Sequence, residues 1–347
     1  MRILHLLSSN KYSGAENVVC QIINMFRCDT DMEFVYCSPD GPIRQALEDQ
    51  EISFAPLSKL SVSTLKKVMR EVKPDVVHAH DMKASVLAAA AIGNIPLISH
   101  IHNNNFDSQK PTLKAILYCY AAATAKHIFW VSQSSMTGYC FHKGLEGKST
   151  VLYNVIDIDQ LRQKAVQAEC QTPYDIVYIG RLTYQKNPQR LLAVLEEVIR
   201  QQPMVKAAII GGGDLEEEVQ QIIAEKKLQD NVHYLGFMGN PYGILKNAKI
   251  MLMTSRWEGT PMCALEAMAL GVSIISTPTD GLCELVAHGK TGYLDDEDEV
   301  IIQRCLELIH ENEQRMAFSA ASLARSKEMM DIENYKCTLM NVYKAMI

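Results

Sequence analysis

No run of apolar residues in this 347-residue chain approaches the roughly 18–20 needed to cross a bilayer, so a transmembrane helix is not expected. The segment Met1–Leu7 offers only about five apolar residues before Ser8, Ser9 and Asn10, which reads as a strand and not as a signal-peptide core. None of the ten cysteines, at 20, 28, 37, 119, 140, 170, 263, 283, 305 and 337, forms a Cys-x-x-Cys pair. Scattered thiols argue against a disulfide framework or a zinc site and for a reducing, cytoplasmic setting. There is no block of like charge, which disfavours a nucleic-acid partner. The net charge of −6 is unevenly placed: residues 1–160 hold 15 basic and 15 acidic side chains, leaving 34 − 15 = 19 and 40 − 15 = 25 for the remainder. Seven of the ten histidines lie in that neutral first stretch. With 48% hydrophobic residues the chain can fill two cores without a disulfide or metal staple.

Short apolar runs alternate with helix-length amphipathic segments. Strands are expected at 3–7, 33–38, 76–80, 97–102, 127–132 and 149–152, then at 175–179, 206–210, 232–235, 250–254 and 273–276. Most are continuously apolar, as parallel strands buried on both faces are. Helices are expected at 15–26, 65–71, 187–201, 215–227 and 261–269, giving an α/β fold with two parallel sheets joined around residues 155–173. Ile332, Tyr335, Leu339, Val342, Tyr343 and Met346 recur at helical spacing in a separate last helix with one buried face. Ligands bind at the carboxyl ends of such strands, and two facing domains would place a site in the cleft between them.

Five motifs stand at expected strand ends. Ser13-Gly14-Ala15-Glu16 opens a helix after the first strand, where a glycine admits a ligand close to the backbone, although a plain βα turn has the same form. His78-Ala-His80 and His100-Ile-His102 each place two imidazoles on one strand face. No adjacent Cys or carboxylate set completes a ligand shell, so no metal is expected there. Gly180-Arg181-Leu-Thr-Tyr-Gln-Lys186 combines a glycine turn, two cations and a following helix start, which suits a diphosphate; the bland alternative is a solvated basic loop. Gly211-Gly212-Gly213-Asp214 permits close approach by a nucleotide or serves merely as a turn. The fifth, running from Arg256 to Ala269, sets Glu258 before a helix, Pro261 in its first turn and Glu266 in its second. The N–H groups near Met262 and Cys263 point past the helix start. Two carboxylates around a cationic helix end match a nucleotide sugar, with ribose, diphosphate and hexose in line.

At these residues the chain resembles the family-four retaining glycosyltransferases, which have the GT-B fold of two Rossmann-like domains. Glu258 and Glu266, separated by seven residues, match that family's signature. Ser-Gly-Ala-Glu, Asp75-Val-Val-His-Ala-His80, His102, Asn154, Gly-Arg-Leu with Lys186, Gly211–Gly213, Thr279–Glu284 and Gly289–Leu294 follow in the family's order over essentially the whole chain. Two departures are Ser13, where a second glycine is usual, and Asn154-Val-Ile-Asp157, which lacks the usual glycine. The resemblance implies an acceptor-side domain at 1–160, a nucleotide-sugar donor domain at 161–330, and a last helix, 331–347, packing back on the first domain. It implies that Arg181 and Lys186 hold the diphosphate after the Gly180 turn, and that Glu266 binds ribose hydroxyls. Glu258 would meet hydroxyls of the donor sugar, with Pro261, Met262 and Cys263 nearby. Backbone at Met238 would meet the base, Gly14 would approach the phosphates and His102 would line the reaction centre.

The implied reaction is metal-independent, retaining transfer of a hexose or N-acetylhexosamine, UDP being the expected nucleotide. No Asp-x-Asp metal motif is expected at a strand end, which fits transfer without a metal. A non-catalytic GT-B scaffold, a nucleotide-sugar epimerase and a metal hydrolase on the histidine pairs compete with this reading. Relatives imply a saccharide or lipid-linked saccharide acceptor for surface polysaccharides, met peripherally at the inner membrane face. The polar loop Asn103–Lys110 beside His102 and the following helix belong to that expectation. Most of that helix's apolar residues, Leu113, Ile116, Leu117, Tyr118 and Tyr120, read as core, with Lys110, Lys114 and Lys126 nearby. A hinge for closure is expected near 155–173.

Overall fold

The computed structural model describes residues 1–103, 108–168 and 173–347. Part of the Asn103–Lys110 loop, part of the expected 155–173 join, and Cys170 therefore lie outside the described residues. The nine described cysteines are free thiols. The chain divides into two compact units, Met1–Asn154 with Ile332–Ile347, and Val155–Asp331.

The first unit holds a seven-stranded parallel sheet: β1 (Arg2–Leu6), β2 (Glu33–Pro39), β3 (Phe54–Leu57), β4 (Val76–His80), β5 (Leu97–Ile101), β6 (His127–Trp130) and β7 (Ser149–Val151). Their spatial order is β3-β2-β1-β4-β5-β6-β7. The second unit has six parallel strands: β8 (Ile176–Ile179), β9 (Ala207–Ile210), β10 (Val232–Gly236), β11 (Ile250–Met253), β12 (Ser273–Ser276) and β13 (Gly292–Leu294). They are ordered β10-β9-β8-β11-β12-β13. The central strands are buried on both faces, as their unbroken apolar sequences require. Strand order reverses between β1 and β4 and again between β8 and β11. The chain leaves such switch points in opposite directions, which opens a crevice at the carboxyl ends.

Two strands were not expected from sequence. β3 carries Pro56 and β13 is three residues long, and both lie on sheet edges, where neither an apolar run nor a full hydrogen-bond ladder is required.

The last helix, Ile332–Lys344, belongs with the first unit. Tyr335, Leu339 and Tyr343 are buried, the Tyr343 ring packs against Phe26 and Phe34, and its hydroxyl lies 2.8 Å from His78 Nδ1. Lys336 pairs with Asp29 at 2.6 Å.

The helix Leu113–Thr124 departs from expectation. Tyr118 is buried, but Leu113, Ile116, Leu117 and Tyr120 are 73%, 52%, 48% and 54% exposed. Its inward face is built from Ala115, Tyr118, Ala121 and Ala122, which let it approach the alanine-rich helix Asp81–Ala91 closely. Small residues fill the packing face, so the bulky ones at i, i+3, i+4 and i+7 point outward.

Candidate active site

In the second unit, the loops leaving β8 and β11 at the switch point are laced together. Thr254 Oγ1 donates to Asn187 O at 3.0 Å, and the Arg256 N–H to Gln185 O at 2.8 Å. Gln185 Nε2 donates to Trp257 O at 2.9 Å, and the Arg256 guanidinium lies over the Tyr184 ring while bonding Asn187 Oδ1 at 2.9 Å. Asn187 adopts a left-handed φ of 54°, which turns the chain sharply from Lys186 into the helix Pro188–Gln201.

This lacing places Lys186 Nζ 2.5 Å from Glu258 Oε1, with both residues buried. Ser255 Oγ donates to the same oxygen at 2.6 Å. Burial alone would lower the Lys186 ammonium; the Glu258 carboxylate outweighs it and holds the group above its ordinary range. Arg181 is exposed at the rim, 3.4 Å from Gln185 Oε1. The site thus carries one buried, paired cation and one exposed at the rim.

The glycines in the first two loops have a structural task. A Cβ on Gly211, at φ 135°, would stand 1.9 Å from Gly180 O, and one on Gly213 would stand 2.4 Å from Leu182 O. The two loops pack backbone to backbone, with Leu182 N–H on Gly212 O at 3.0 Å and Leu215 N–H on Leu182 O at 3.0 Å. Of the two readings of Gly211–Gly213, close packing within the chain accounts for Gly211 and Gly213.

The helix Met262–Leu270 begins one residue later than expected, with Pro261 as its cap and not in its first turn. The first intrahelical bond to Pro261 O comes from Ala264, so the Met262 and Cys263 N–H groups precede the ladder. Burial pushes the Cys263 thiol up to about 12, which keeps it protonated at neutral pH. Glu266 is buried and accepts a 2.9 Å bond from the Tyr242 hydroxyl. Met238 follows the carboxyl end of the edge strand β10.

In the first unit, Gly14 opens the helix Gly14–Met25 with nothing within 4 Å of where its Cβ would stand. Packing does not demand glycine there. His102, just past β5, bonds His80 through its ring and Asp81 through its backbone N–H, at 2.8 and 3.0 Å.

The comparisons with known proteins agree over almost the whole chain. Residues 12–160 match the family Glycosyltransferase Family 4, and residues 159–325 match Glycosyl transferases group 1. This chain belongs to the family-four, group 1 glycosyltransferases. An uncharacterized glycosyltransferase of Methanocaldococcus jannaschii is 31% identical over 254 residues, 65% of this chain and 63% of the relative, so the match spans less than two thirds of that protein. The UDP-Gal:alpha-D-GlcNAc-diphosphoundecaprenol alpha-1,3-galactosyltransferase of Escherichia coli is 23% identical over 86% of this chain and 85% of its own. HepE of Anabaena, solved in complex with UDP and glucose, superposes with a TM-score of 0.86 at 22% identity, over 99% of this chain and 100% of that one. That likeness establishes the GT-B fold.

Within this glycosyltransferase chain, Gly180, Arg181, Lys186, Glu258, Pro261, Met262, Cys263 and Glu266 gather at one switch point of the second unit. Gly14 follows β1 and His102 follows β5 in the first, with β4 lying between those two strands. Sequence reasoning did not single out Ser255, Tyr242 or Asn187. Ser255 carried a weak signal, being a hydroxyl at a strand end three residues before Glu258. Asp296-Glu-Asp298 follows the unexpected strand β13, so an Asp-x-Asp does stand near a strand end. Its carboxylates are engaged with Arg190, at 2.8 Å from Asp296 and 2.6 Å from Asp298.

Two outcomes follow from these contacts. A Cβ on Gly281 would stand 1.3 Å from Gly259 O, so Gly281→Ala forces the Glu258-Gly259 backbone away. The variant should lose at least about tenfold in turnover and unfold at lower denaturant, as overpacking at a fixed backbone does. Kinetics and urea melts would show it.

Burial pushes the Glu266 carboxyl up to about 7 from its ordinary 4.5, against the opposing Tyr242 bond and Lys164 charge. Between those values the folded chain keeps a proton that the unfolded chain has lost. Stability from this group therefore falls as pH rises through the window, by at most roughly 3 kcal/mol. Denaturant unfolding at pH 5 and pH 8 should show that dependence, and Glu266→Gln should flatten it.

Proposed function

We propose that this protein is a retaining, metal-independent glycosyltransferase. It moves a hexose or N-acetylhexosamine from a nucleotide sugar, UDP-linked, to a saccharide acceptor carried on lipid, in surface polysaccharide synthesis. The observation that carries the reading is the buried Lys186–Glu258 pair, with Arg181 beside it, at the carboxyl-end switch point of β8 and β11. As the nucleotide leaves, negative charge builds on its terminal phosphate while positive charge grows at the anomeric carbon. Arg181 and Lys186 meet the first, in place of a metal, and bind it more strongly in the transition state than in the ground state. Glu258 takes hydroxyls of the donor sugar, and Glu266, on the next helix, takes the ribose hydroxyls. Backbone after β10 at Met238 meets the base.

Retention needs no pair of flanking carboxylates when the departing phosphate itself takes the acceptor's proton on the same face. The lipid-linked acceptor is supported by the name of the Escherichia coli relative and by the exposed stripe Leu113, Ile116, Leu117 and Tyr120, flanked by Lys110, Lys114 and Lys126. An apolar stripe beside cations fits an anionic membrane surface. The test is nucleotide release from a panel of UDP- and GDP-sugars, with and without polyprenyl-diphosphate saccharides. Release from one UDP-hexose that rises with a lipid-linked acceptor is expected. No turnover with any pair, in a folded protein, would overturn the reading.

A further inference from the structure

Five histidines stand on one face of the first sheet. His5 on β1 is level with His78 on β4, and His80 on β4 with His100 on β5, followed by His102. His5 shares no motif with the others and was not singled out from sequence, but strand parity brings it to their face. Three of the rings form a chain. His5 Nδ1 lies 2.8 Å from His80 Nε2, and His80 Nδ1 lies 2.8 Å from His102 Nε2. The bonded rings are within 20° and 23° of parallel, the arrangement of in-line N–H···N bonds; three lone pairs converging on one ion would splay the rings. His78 bonds Tyr343 instead, and His100 stacks under His102 with centroids 4.1 Å apart.

A neutral imidazole carries one N–H and one lone pair. Burial, together with the neighbouring histidines, keeps His5 and His80 below the range in which they would charge; burial also lowers His102, against the pull of Asp81. Three protons are then shared among four positions: the two ring–ring bonds and the two ends of the chain, His5 Nε2 and His102 Nδ1. Neither end has a partner among the described residues. The two bonds take two protons, and the third goes to one end. At His5 it would be a donor in the dry interior, beside Phe34 and fully buried. At His102 Nδ1 it is likewise shielded from solvent, but it lies in the field of the Asp81 carboxylate that already accepts the His102 backbone N–H. Asp81 holds a left-handed φ of 66°, uncommon for a non-glycine residue, and that turn brings its carboxylate to His102.

We propose that the imidazole chain His5–His80–His102 fixes His102 as the Nδ1–H tautomer, a hydrogen-bond donor to a substrate oxygen, with His80 as its positioning residue. This rests on the reading of His102 as lining the reaction centre. It assigns His102 the task of donating a hydrogen bond to a substrate oxygen, not of removing a proton.

The test has two arms. Ring-nitrogen NMR of the full chain labelled at histidine, without any donor, should show His102 and His80 protonated at Nδ1 and bare at Nε2. A His102 protonated at Nε2 would overturn the proposal, as would ring shifts at one equivalent of added Zn²⁺ that break the chain. In the second arm, His80→Asn keeps an amide N–H for His102 Nε2 and should stay within about threefold of the parent turnover. His80→Phe should lose at least about tenfold in kcat with little change in donor KM. Equal losses in both variants, with the His102 tautomer unchanged, would make His80 merely structural and sink the proposal. Because the spectrum needs no turnover, failure of every donor would sink the transfer reading and leave the tautomer result standing.

Discussion

Lys186→Ala should lower turnover by about two to three orders of magnitude, the range seen when one preorganised charge-stabilising group is removed. The structure adds a second effect. Lys186 is paired with the buried Glu258, so the variant leaves a carboxylate without its counter-charge in a dry site, at a cost of roughly 3–5 kcal/mol of stability. Turnover and unfolding must therefore be measured together. Adding Glu258→Gln removes the stranded charge and should recover most of the stability without recovering turnover. Arg181→Ala provides the clean comparison: its side chain is exposed, so its loss should appear in kcat with the melt unchanged. If the double variant regains both stability and turnover, the Lys186–Glu258 pair is a fold contact and the loop does not serve the diphosphate.

Most of the fold was legible because buried parallel strands must be apolar throughout, and most of the eleven expected strands read that way. β3 and β13 did not, since an edge strand tolerates Pro56 or shrinks to three residues. The candidate site residues stood out as motifs, because a helix start and its flanking carboxylates lie close together in the chain. Their pairing was not. Lys186 and Glu258 are 72 residues apart, and the lacing of loops that joins them depends on Thr254, Asn187 and Gln185, whose types alone say nothing of it. The helix Leu113–Thr124 misled for a different reason. Periodicity shows that a helix has two faces, and bulk suggests which one is buried. Here alanines do the packing against a neighbouring alanine-rich helix, so the bulky face is left outside.

That outward face carries the second large expected effect. Replacing Leu113, Ile116 and Leu117 together with Ser should reduce sedimentation with vesicles containing anionic phospholipid by at least about tenfold. Full burial of one such side chain is worth about 1.5–3 kcal/mol, so even shallow insertion of three exceeds the 1.4 kcal/mol that tenfold represents. Exposed lysines beside the stripe, Lys110, Lys114 and Lys126, should each add about 1 kcal/mol near an anionic surface, a share that salt screens and the apolar share does not. Half a molar salt should thus weaken binding of the parent protein only in part, and should leave little binding in the triple variant. The three side chains are exposed, so the melt should move little. Turnover on a short-chain, water-soluble acceptor analogue should survive, while turnover on the same acceptor embedded in vesicles falls with the binding. A parent protein that ignores anionic vesicles, or a triple variant that transfers equally well to embedded acceptor, would remove the membrane surface from the functional reading and leave the donor chemistry of the second unit untouched.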